Sequence, residues 1–348
     1  MLWTHAKEKV WFLCPGVEEP AGGVNNMYRL CWIAEMLGIH ARVLSTKPYP
    51  YVDPPDLIKY WVGVSKELTL YSLDAFDHPD MKEGDIVVQP DIYSRLPFRF
   101  SRPVRLVVYI QNWALVHPNN PWQLHYWVYH NMTHMGYCLE TVAPTFSHRK
   151  QYSFQKMGLD ETREILTLPK KIRWSTVSPF FYEHDDPPTT ISGSEKTTPV
   201  LLFGRKTPDD VSRVLQQILG DSLRILHDFL TPQEARMEIA KSHILCMVSP
   251  AEGLCFPAVE AMRAGTVVAT WHCGAIEDYV FDGTTGILVP YGDVVGMAHK
   301  IRQLLEDNEH LESIRSNAST LIRRLFTMDQ AKTEFYQAYH TTLYTPPM

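Results

Sequence analysis

The chain has no long apolar run, no block of like charge, no internal repeat, and no low-complexity tract beyond one short polar stretch near residue 190. The apolar segment over residues 9–14 stops at Pro15-Gly16, too short for a signal h-region or a membrane span. No inserted or secreted segment is expected, and no strongly basic amphipathic helix argues for docking on a membrane surface. The formal net charge of −6 is mild, which gives no reason to expect nucleic-acid binding. Cysteine is sparse: Cys14, Cys31, Cys138, Cys246, Cys255 and Cys273 lack C-x-x-C or zinc-like spacing, so reduced thiols packed as small hydrophobes in a cytoplasmic protein are expected. No G-x-G-x-x-G follows the first strand, so a dinucleotide site is poorly supported. His130 and His134 stand at i and i+4 without an evident third ligand, and neither a metal nor a cofactor is expected.

What the chain does have is length and apolar content. With 348 residues, 45% of them hydrophobic, it holds material for two ordinary domains that need no disulfides. The first half alternates short β-type runs with helical ones: a strand over 9–14, a helix over 25–37, strands over 41–44, 86–88 and 104–110. Continuous apolar runs of this kind suit parallel strands buried on both faces. Residues 183–198 are polar and turn-rich and read as a linker with too little apolar surface to pack. The alternation then restarts, with strands over 200–203, 223–226, 244–248 and 266–270, helices over 209–219, 233–241, 257–263, 294–307 and 310–326, and a last amphipathic segment over 329–343. An α/β protein of two Rossmann-like domains follows, residues 1–182 and 199–327. Open sheets of this type bind ligands beyond the carboxyl ends of their strands, so two facing domains would form an interdomain cleft.

The most informative segment is Ser249-Pro250-Ala251-Glu252-Gly253-Leu254-Cys255-Phe256-Pro257-Ala258-Val259-Glu260. It carries a strand end, a loop and a helix start with Pro257 in the first turn, and the helix stops before Gly265. Backbone N–H groups at Gly253, Leu254, Cys255 and Phe256, together with the positive end of the helix, favour a phosphate. Glu252 and Glu260 flank that point and can accept hydrogen bonds from sugar hydroxyls on either side of a diphosphate. A solvated glutamate and one favoured by the helix dipole are the plain alternative. Strand 200–203 runs into Gly204-Arg205-Lys206, whose cations would neutralise a departing diphosphate.

The run from His227 to Val289, with Ser-Pro-x-Glu-Gly-x-x-Phe-Pro-x-x-Glu-Ala-Met-x-x-Gly, Gly274-Ala275-Ile276-Glu277-Asp278 and Asp282-Gly283-x-x-Gly286, resembles the donor domain of family 4 retaining GT-B glycosyltransferases. The resemblance is strong over most of residues 199–340 and loose before them. It implies that Glu252 contacts hydroxyls of the transferred sugar, Glu260 holds the nucleotide ribose, and Arg205, with Lys206, meets the phosphates. It also implies that Gly22-Gly23 faces the donor phosphates, that residues 328–348 return to the first domain, and that transfer retains anomeric configuration. The chain departs from the family at Asp210, where a phosphate-binding lysine is usual, and at Gln111-Asn112, where many members place a histidine. Either amide can hydrogen-bond a sugar; neither can act as a general base.

Trp113, His117, Trp122, His125, Tyr126, Trp127 and Tyr129 concentrate aromatic faces in one stretch. They suit an acceptor platform at Gln111, Trp113, His117 and Trp122, or equally an aromatic core helix. The function expected is transfer of a hexosyl or deoxyhexosyl unit from a nucleotide-diphosphate sugar to a glycan, lipid-linked or small-molecule hydroxyl, with Glu252, Arg205 and Asn112 at the reacting centre. A GT-B epimerase or phosphorylase and a degenerate sugar-nucleotide-binding protein are the alternatives.

Overall fold

The computed structural model describes residues 8–64, 78–90, 103–111, 125–128, 174–181, 186, 191–249 and 252–344. Two compact units divide the chain at Phe180/Phe181 and again at Thr327/Met328.

In the first unit, strands β1 (Val10–Leu13), β2 (Ala41–Ser45), β3 (Trp61–Gly63), β4 (Ile86–Pro90), β5 (Arg105–Ile110), β6 (His125–Val128) and β7 (Trp174–Thr176) form one sheet in the order β3-β2-β1-β4-β5-β6-β7. Every pairing in it is parallel. All four β1 residues and all five of β4 are buried, which explains the unbroken apolar runs over 10–13 and 86–88, since both faces are covered. Helix α1 (Gly22–Met36) packs on β1 and β2, with Met27, Leu30, Cys31, Ile33 and Ala34 buried.

The second unit repeats the plan with β8 (Thr198–Phe203), α2 (Asp209–Leu219), β9 (Leu223–Leu226), α3 (Pro232–Ala240), β10 (Ser242–Met247), α4 (Phe256–Arg263), β11 (Val267–Trp271), β12 (Gly286–Val289), α5 (Val294–Glu306) and α6 (Asn308–Arg324). Its parallel sheet runs β12-β11-β10-β8-β9. Local chemistry fixes the helix starts: Thr231 and Glu234 make a capping box ahead of Pro232, Asp293 accepts from the Gly296 N–H at 2.9 Å, and Asp307 from His310 at 3.0 Å. The last helix, α7 (Met328–Tyr344), belongs to the first unit. There Glu334 accepts from the Ser178 N–H at 2.7 Å, and Phe335 lies 6.3 Å from Phe12.

Three sequence expectations change. Helix α1 begins at Gly22 instead of residue 25, so the paired glycines form its first turn and Asn25 lies inside it, accepting from the Asp53 N–H at 2.8 Å. Residues 125–128 form a strand, not a turn of an aromatic core helix, because a short apolar run has no period that separates the two. Finally, part of the expected linker packs. Ser192 and Glu195 cap a 3-10 turn over Gly193–Glu195, and the buried Lys196 ammonium donates to the Ala240 carbonyl at 2.7 Å and to Thr266 Oγ1 at 3.0 Å. Polar residues can be packed there because each finds a partner.

Candidate active site

The strand order sets the place of the site within the second unit. Strand β8 has β10 on one side and β9 on the other, so chain connections depart in opposite directions from the β8/β10 boundary. Crevices at such switch points, beyond the carboxyl ends of the strands, receive ligands. The two segments emerging there are Gly204-Arg205-Lys206 after β8 and the Glu252 loop after β10.

The Glu252 loop is tied down through its own backbone. Trp271 Nε1 donates to the Ser249 carbonyl at 2.7 Å, the Tyr279 hydroxyl donates to the Leu254 carbonyl, and the Glu252 N–H donates to the Cys273 carbonyl at 2.8 Å. The N–H groups of Gly253, Leu254 and Phe256 have no acceptor among the described backbone carbonyls. Cys255 caps α4 in the left-handed region, φ 64° and ψ 72°. A non-glycine residue there costs on the order of 1–3 kcal/mol and persists only when its surroundings over-determine it. Here the tie at the Leu254 carbonyl and the bonds that the Cys255 carbonyl accepts from the Ala258 and Val259 N–H groups, at 3.0 and 3.3 Å, supply that constraint. With Phe256 and Pro257 opening the helix, the positive helix end and the N–H groups form a surface suited to an anion.

Glu252 is buried in this loop. Glu260, at the start of the second turn of α4, lies 3.8 Å from Nη1 of the buried Arg236 on α3. Arg205 stands in the 3-10 turn Gly204–Lys206 with its guanidinium 3.2 Å from the ring centroid of Phe229, which is itself half exposed after β9. Gly204 lets the His227 ring lie against the start of this turn: a Cβ there would fall 2.6 Å from Nδ1 of His227. Of Lys206 only the backbone is described. Asp210 is exposed in the first turn of α2, where the helix dipole favours a carboxylate.

Further titratable groups gather after β11. His272 Nδ1 lies 3.0 Å from Glu277 Oε2, and the half-buried Asp278 carboxyl is pushed up to about 7 by desolvation and by the neighbouring Glu277 charge. Tyr279, fully buried, is held well above the usual phenol range by the same desolvation, and so remains a donor. Sequence reasoning had not singled out Trp271, Tyr279, Arg236, His272 or Phe229. Their one available signal was position, since His272 and Phe229 follow strand ends; the ties of Tyr279 and Arg236 span the fold and have no local mark.

In the first unit the structure brings Gly23 and Gln111 together. A Cβ on Gly23 would lie 2.8 Å from Gln111 Oε1, so the glycine makes room for the amide. Gly22 is exposed at the start of α1. Asn112, Trp113, His117 and Trp122, and the pair His130 and His134, lie outside the described residues. Among the described residues no cluster of three or more His, Cys, Asp or Glu is placed to hold a metal, and no helix is long and apolar enough to cross a membrane. Cys14, Cys31, Cys246, Cys255 and Cys273 are buried and form no disulfide among the described residues.

Residues 191–307 match the family model of glycosyl transferases group 1. Among proteins of similar sequence, N-acetyl-alpha-D-glucosaminyl L-malate synthase of Bacillus anthracis is 27% identical over 116 residues, 33% of this chain and 30% of that protein. MMP alpha-(1->4)-mannosyltransferase of Mycolicibacterium hassiacum is 26% identical over 152 residues, 43% of this chain and 37% of that protein. The chain thus spans about a third of the length of the curated relatives it matches. Solved structures of similar shape include sucrose-phosphate synthase from Thermosynechococcus elongatus, with TM-score 0.60, 13% identity and coverage of 96% of this chain and 99% of that one. TarM has TM-score 0.60 at 10% identity, covering 98% and 99%. Anabaena HepE, solved with UDP-glucose, has TM-score 0.58 at 15% identity, covering 96% and 99%. These likenesses establish the fold: two parallel-sheet, Rossmann-like α/β domains of the GT-B type.

Proposed function

We propose that the chain is a retaining glycosyltransferase that moves a hexosyl or deoxyhexosyl unit from a nucleotide-diphosphate sugar to a hydroxyl of a glycan, lipid-linked or small-molecule acceptor. The observation that carries this reading is the tied Glu252 loop at the switch point, opening a helix that bears Glu260 and lying beside the strand that delivers Arg205. The match of residues 191–307 to glycosyl transferases group 1 supports the same chemistry, as do relatives named for sugar transfer and a neighbour solved with UDP-glucose.

In this reading Glu260, held by Arg236, accepts hydrogen bonds from the ribose hydroxyls. The N–H groups from Gly253 to Phe256 donate to the diphosphate, and Arg205 and Lys206 neutralise the charge that grows on it as the bond to the sugar breaks. Glu252 meets hydroxyls of the transferred sugar. The acceptor oxygen bonds to the anomeric carbon on the face the diphosphate leaves, and its proton passes to an oxygen of that leaving phosphate, so no side-chain base is needed. Gly22 and Gly23 approach the donor phosphates, while Gln111, Asn112, Trp113, His117 and Trp122 orient the acceptor. The chain works in the cytoplasm without a metal or cofactor.

Asp210 in place of the usual lysine favours a second reading, a protein that binds the nucleotide sugar without turnover. The test is a thermal-shift screen with UDP, GDP, dTDP and ADP and their sugars, followed by measurement of nucleoside diphosphate released with candidate acceptors. Transfer predicts stabilisation by one nucleotide family and acceptor-dependent release. Stabilisation without release selects the binding protein, and no stabilisation by any nucleotide sugar sinks both readings.

A further inference from the structure

Arg205 and Phe229 reach each other from neighbouring strands of the second unit. Strands β8 and β9 pair in parallel with Phe203 opposite Leu226, so Arg205 lies two residues beyond the end of that ladder and Phe229 three. Both leave the sheet at its carboxyl edge, the side to which the donor site is assigned.

Each is held by the chain around it. The Arg205 turn is closed by Thr207, whose N–H donates to the Gly204 carbonyl at 3.1 Å and whose hydroxyl donates to the Phe203 carbonyl at 2.9 Å. On the other strand, Ile225 and Leu226 pack on the core of the unit, and the Thr231 capping box starts α3 with the Thr231 N–H on Glu234 Oε2 at 2.8 Å. Phe229 sits between those anchors and stays 50% exposed, so core packing leaves its identity open. The same loop lays His227 against Gly204, where a Cβ would fall 2.6 Å from Nδ1, so the Arg205 turn is gripped at two successive residues.

The ring of Phe229 is taken up with Arg205, whose guanidinium carbon lies over it, 3.2 Å from the centroid. At that separation the two planes have to lie flat against each other, because a tilted guanidinium would drive an N–H group into the ring. Stacking uses the face of the cation, where the ring quadrupole attracts it. The N–H donors project from the rim, in the plane, and remain able to meet phosphate oxygens in a bidentate fork. A guanidinium can therefore serve an aromatic ring and an anion at once. An ammonium has no such division of face and rim.

We propose that Phe229 is a positioning residue of the donor site: its ring holds the face of the Arg205 guanidinium and so presents the N–H rim, in a fixed plane, to the diphosphate of the nucleotide sugar. This rests on the proposed function, in which Arg205 meets that diphosphate.

Titration calorimetry on the full chain with UDP, GDP, dTDP and ADP tests it in wild type, Arg205→Gln, Phe229→Leu, Phe229→Tyr and the double variant Arg205→Gln/Phe229→Leu. Phe229 is half exposed and leucine keeps an apolar side chain there, so the fold should persist, which melting curves check. For the nucleotide that binds, Arg205→Gln weakens affinity at least about tenfold. Phe229→Leu weakens it about two- to fivefold, the range of a cation–π contact at an exposed site, and Phe229→Tyr keeps it within about 1.5-fold of wild type. In the double variant the loss of the ring costs less than about 1.5-fold beyond Arg205→Gln, because the ring acts only through the guanidinium.

A full Phe229→Leu loss that persists in the Arg205→Gln background overturns the proposal, since general loosening of the loop or direct stacking of the base on the ring would act in both backgrounds. So does Phe229→Tyr binding as weakly as Phe229→Leu. Phe229→Leu binding as tightly as wild type, or more tightly, while Arg205→Gln binds weakly overturns it too, tighter binding meaning that the ring keeps Arg205 from the phosphate. All of these leave the donor reading standing. Arg205→Gln binding as well as wild type strikes the role of Arg205, and no binding of any of the four nucleotides strikes the donor reading itself, each taking the proposal with it.

Discussion

Replacing Tyr279 by phenylalanine removes one hydroxyl from the fully buried ring whose edge packs on Phe326, 6.1 Å away at 89°. The ring contacts remain, and the loss falls on the Leu254 carbonyl, which the hydroxyl serves as donor. Leu254 is itself buried, so water cannot readily replace the hydroxyl. Leaving such an acceptor unmet costs about 1–3 kcal/mol. At roughly 2–4 °C per kcal/mol for a domain of this size, a cost near ~2 kcal/mol lowers the melting temperature by about 4–8 °C. The same tie holds the loop whose N–H groups are assigned to the diphosphate, so nucleotide affinity should fall about tenfold, which is about 1.4 kcal/mol. Thermal unfolding and titration calorimetry of wild type and Tyr279→Phe measure both. A melting temperature within about 1 °C of wild type, with unchanged nucleotide affinity, would refute the view that carbonyl ties preorganise this loop.

Three further perturbations have signs fixed by the structure. Lys196 has its folded-state pKa depressed to about 7 against an ordinary 10.5, so between those values the unfolded chain binds more protons and stability rises with pH. Lys196→Met should remove that rise, up to about 1.4 kcal/mol per pH unit above pH 7, and parallel denaturation curves from pH 6.5 to 9 would contradict it. Asp278 has the opposite sign: a carboxyl raised to about 7 is protonated in the fold while ionised in the unfolded chain, so its contribution is lost as pH rises from about 4 to 7. Asp278→Asn should flatten that decline, measured by urea unfolding across the window. Gly23→Ala places a methyl against the movable end of Gln111. Stability should change by less than about 1 kcal/mol because alanine suits a helix, while misplacing the amide slows transfer about tenfold or more; a destabilised protein with normal turnover would show that Gln111 has no part in the reaction.

The second unit was legible nearly strand by strand because its apolar runs are short, its helix caps are chemical, and both sheet faces are covered. Helix α2 lies where its period places it, over Asp209–Leu219, and β9 over Leu223–Leu226. The first unit was less legible. Two glycines look like a turn until a neighbouring Gln111 explains why they open a helix, and His125–Val128 is too short a run to separate strand from helix. Lys196 reads as linker because its buried partners, Ala240 and Thr266, lie 44 and 70 positions further along. In the candidate site the acidic pair and Arg205 stood out by spacing. The groups that hold them did not: Arg236 reaches Glu260 from another helix, and Tyr279 reaches Leu254 across 25 positions. Local sequence carries turn and cap chemistry, whereas such ties depend on which strands become neighbours.

The central claim is that Glu260 anchors a nucleotide whose diphosphate rests on the Glu252 loop. Its most direct test is a calorimetric titration of the nucleoside diphosphate that stabilises the protein into wild type and Glu260→Ala. Loss of charge-assisted hydrogen bonds to the ribose, about 1.5–3 kcal/mol, predicts affinity weakened by roughly 10- to 150-fold, alongside a lowered melting temperature of the free protein because the buried Arg236 loses its carboxylate partner. Equal affinity in the two proteins would contradict the account.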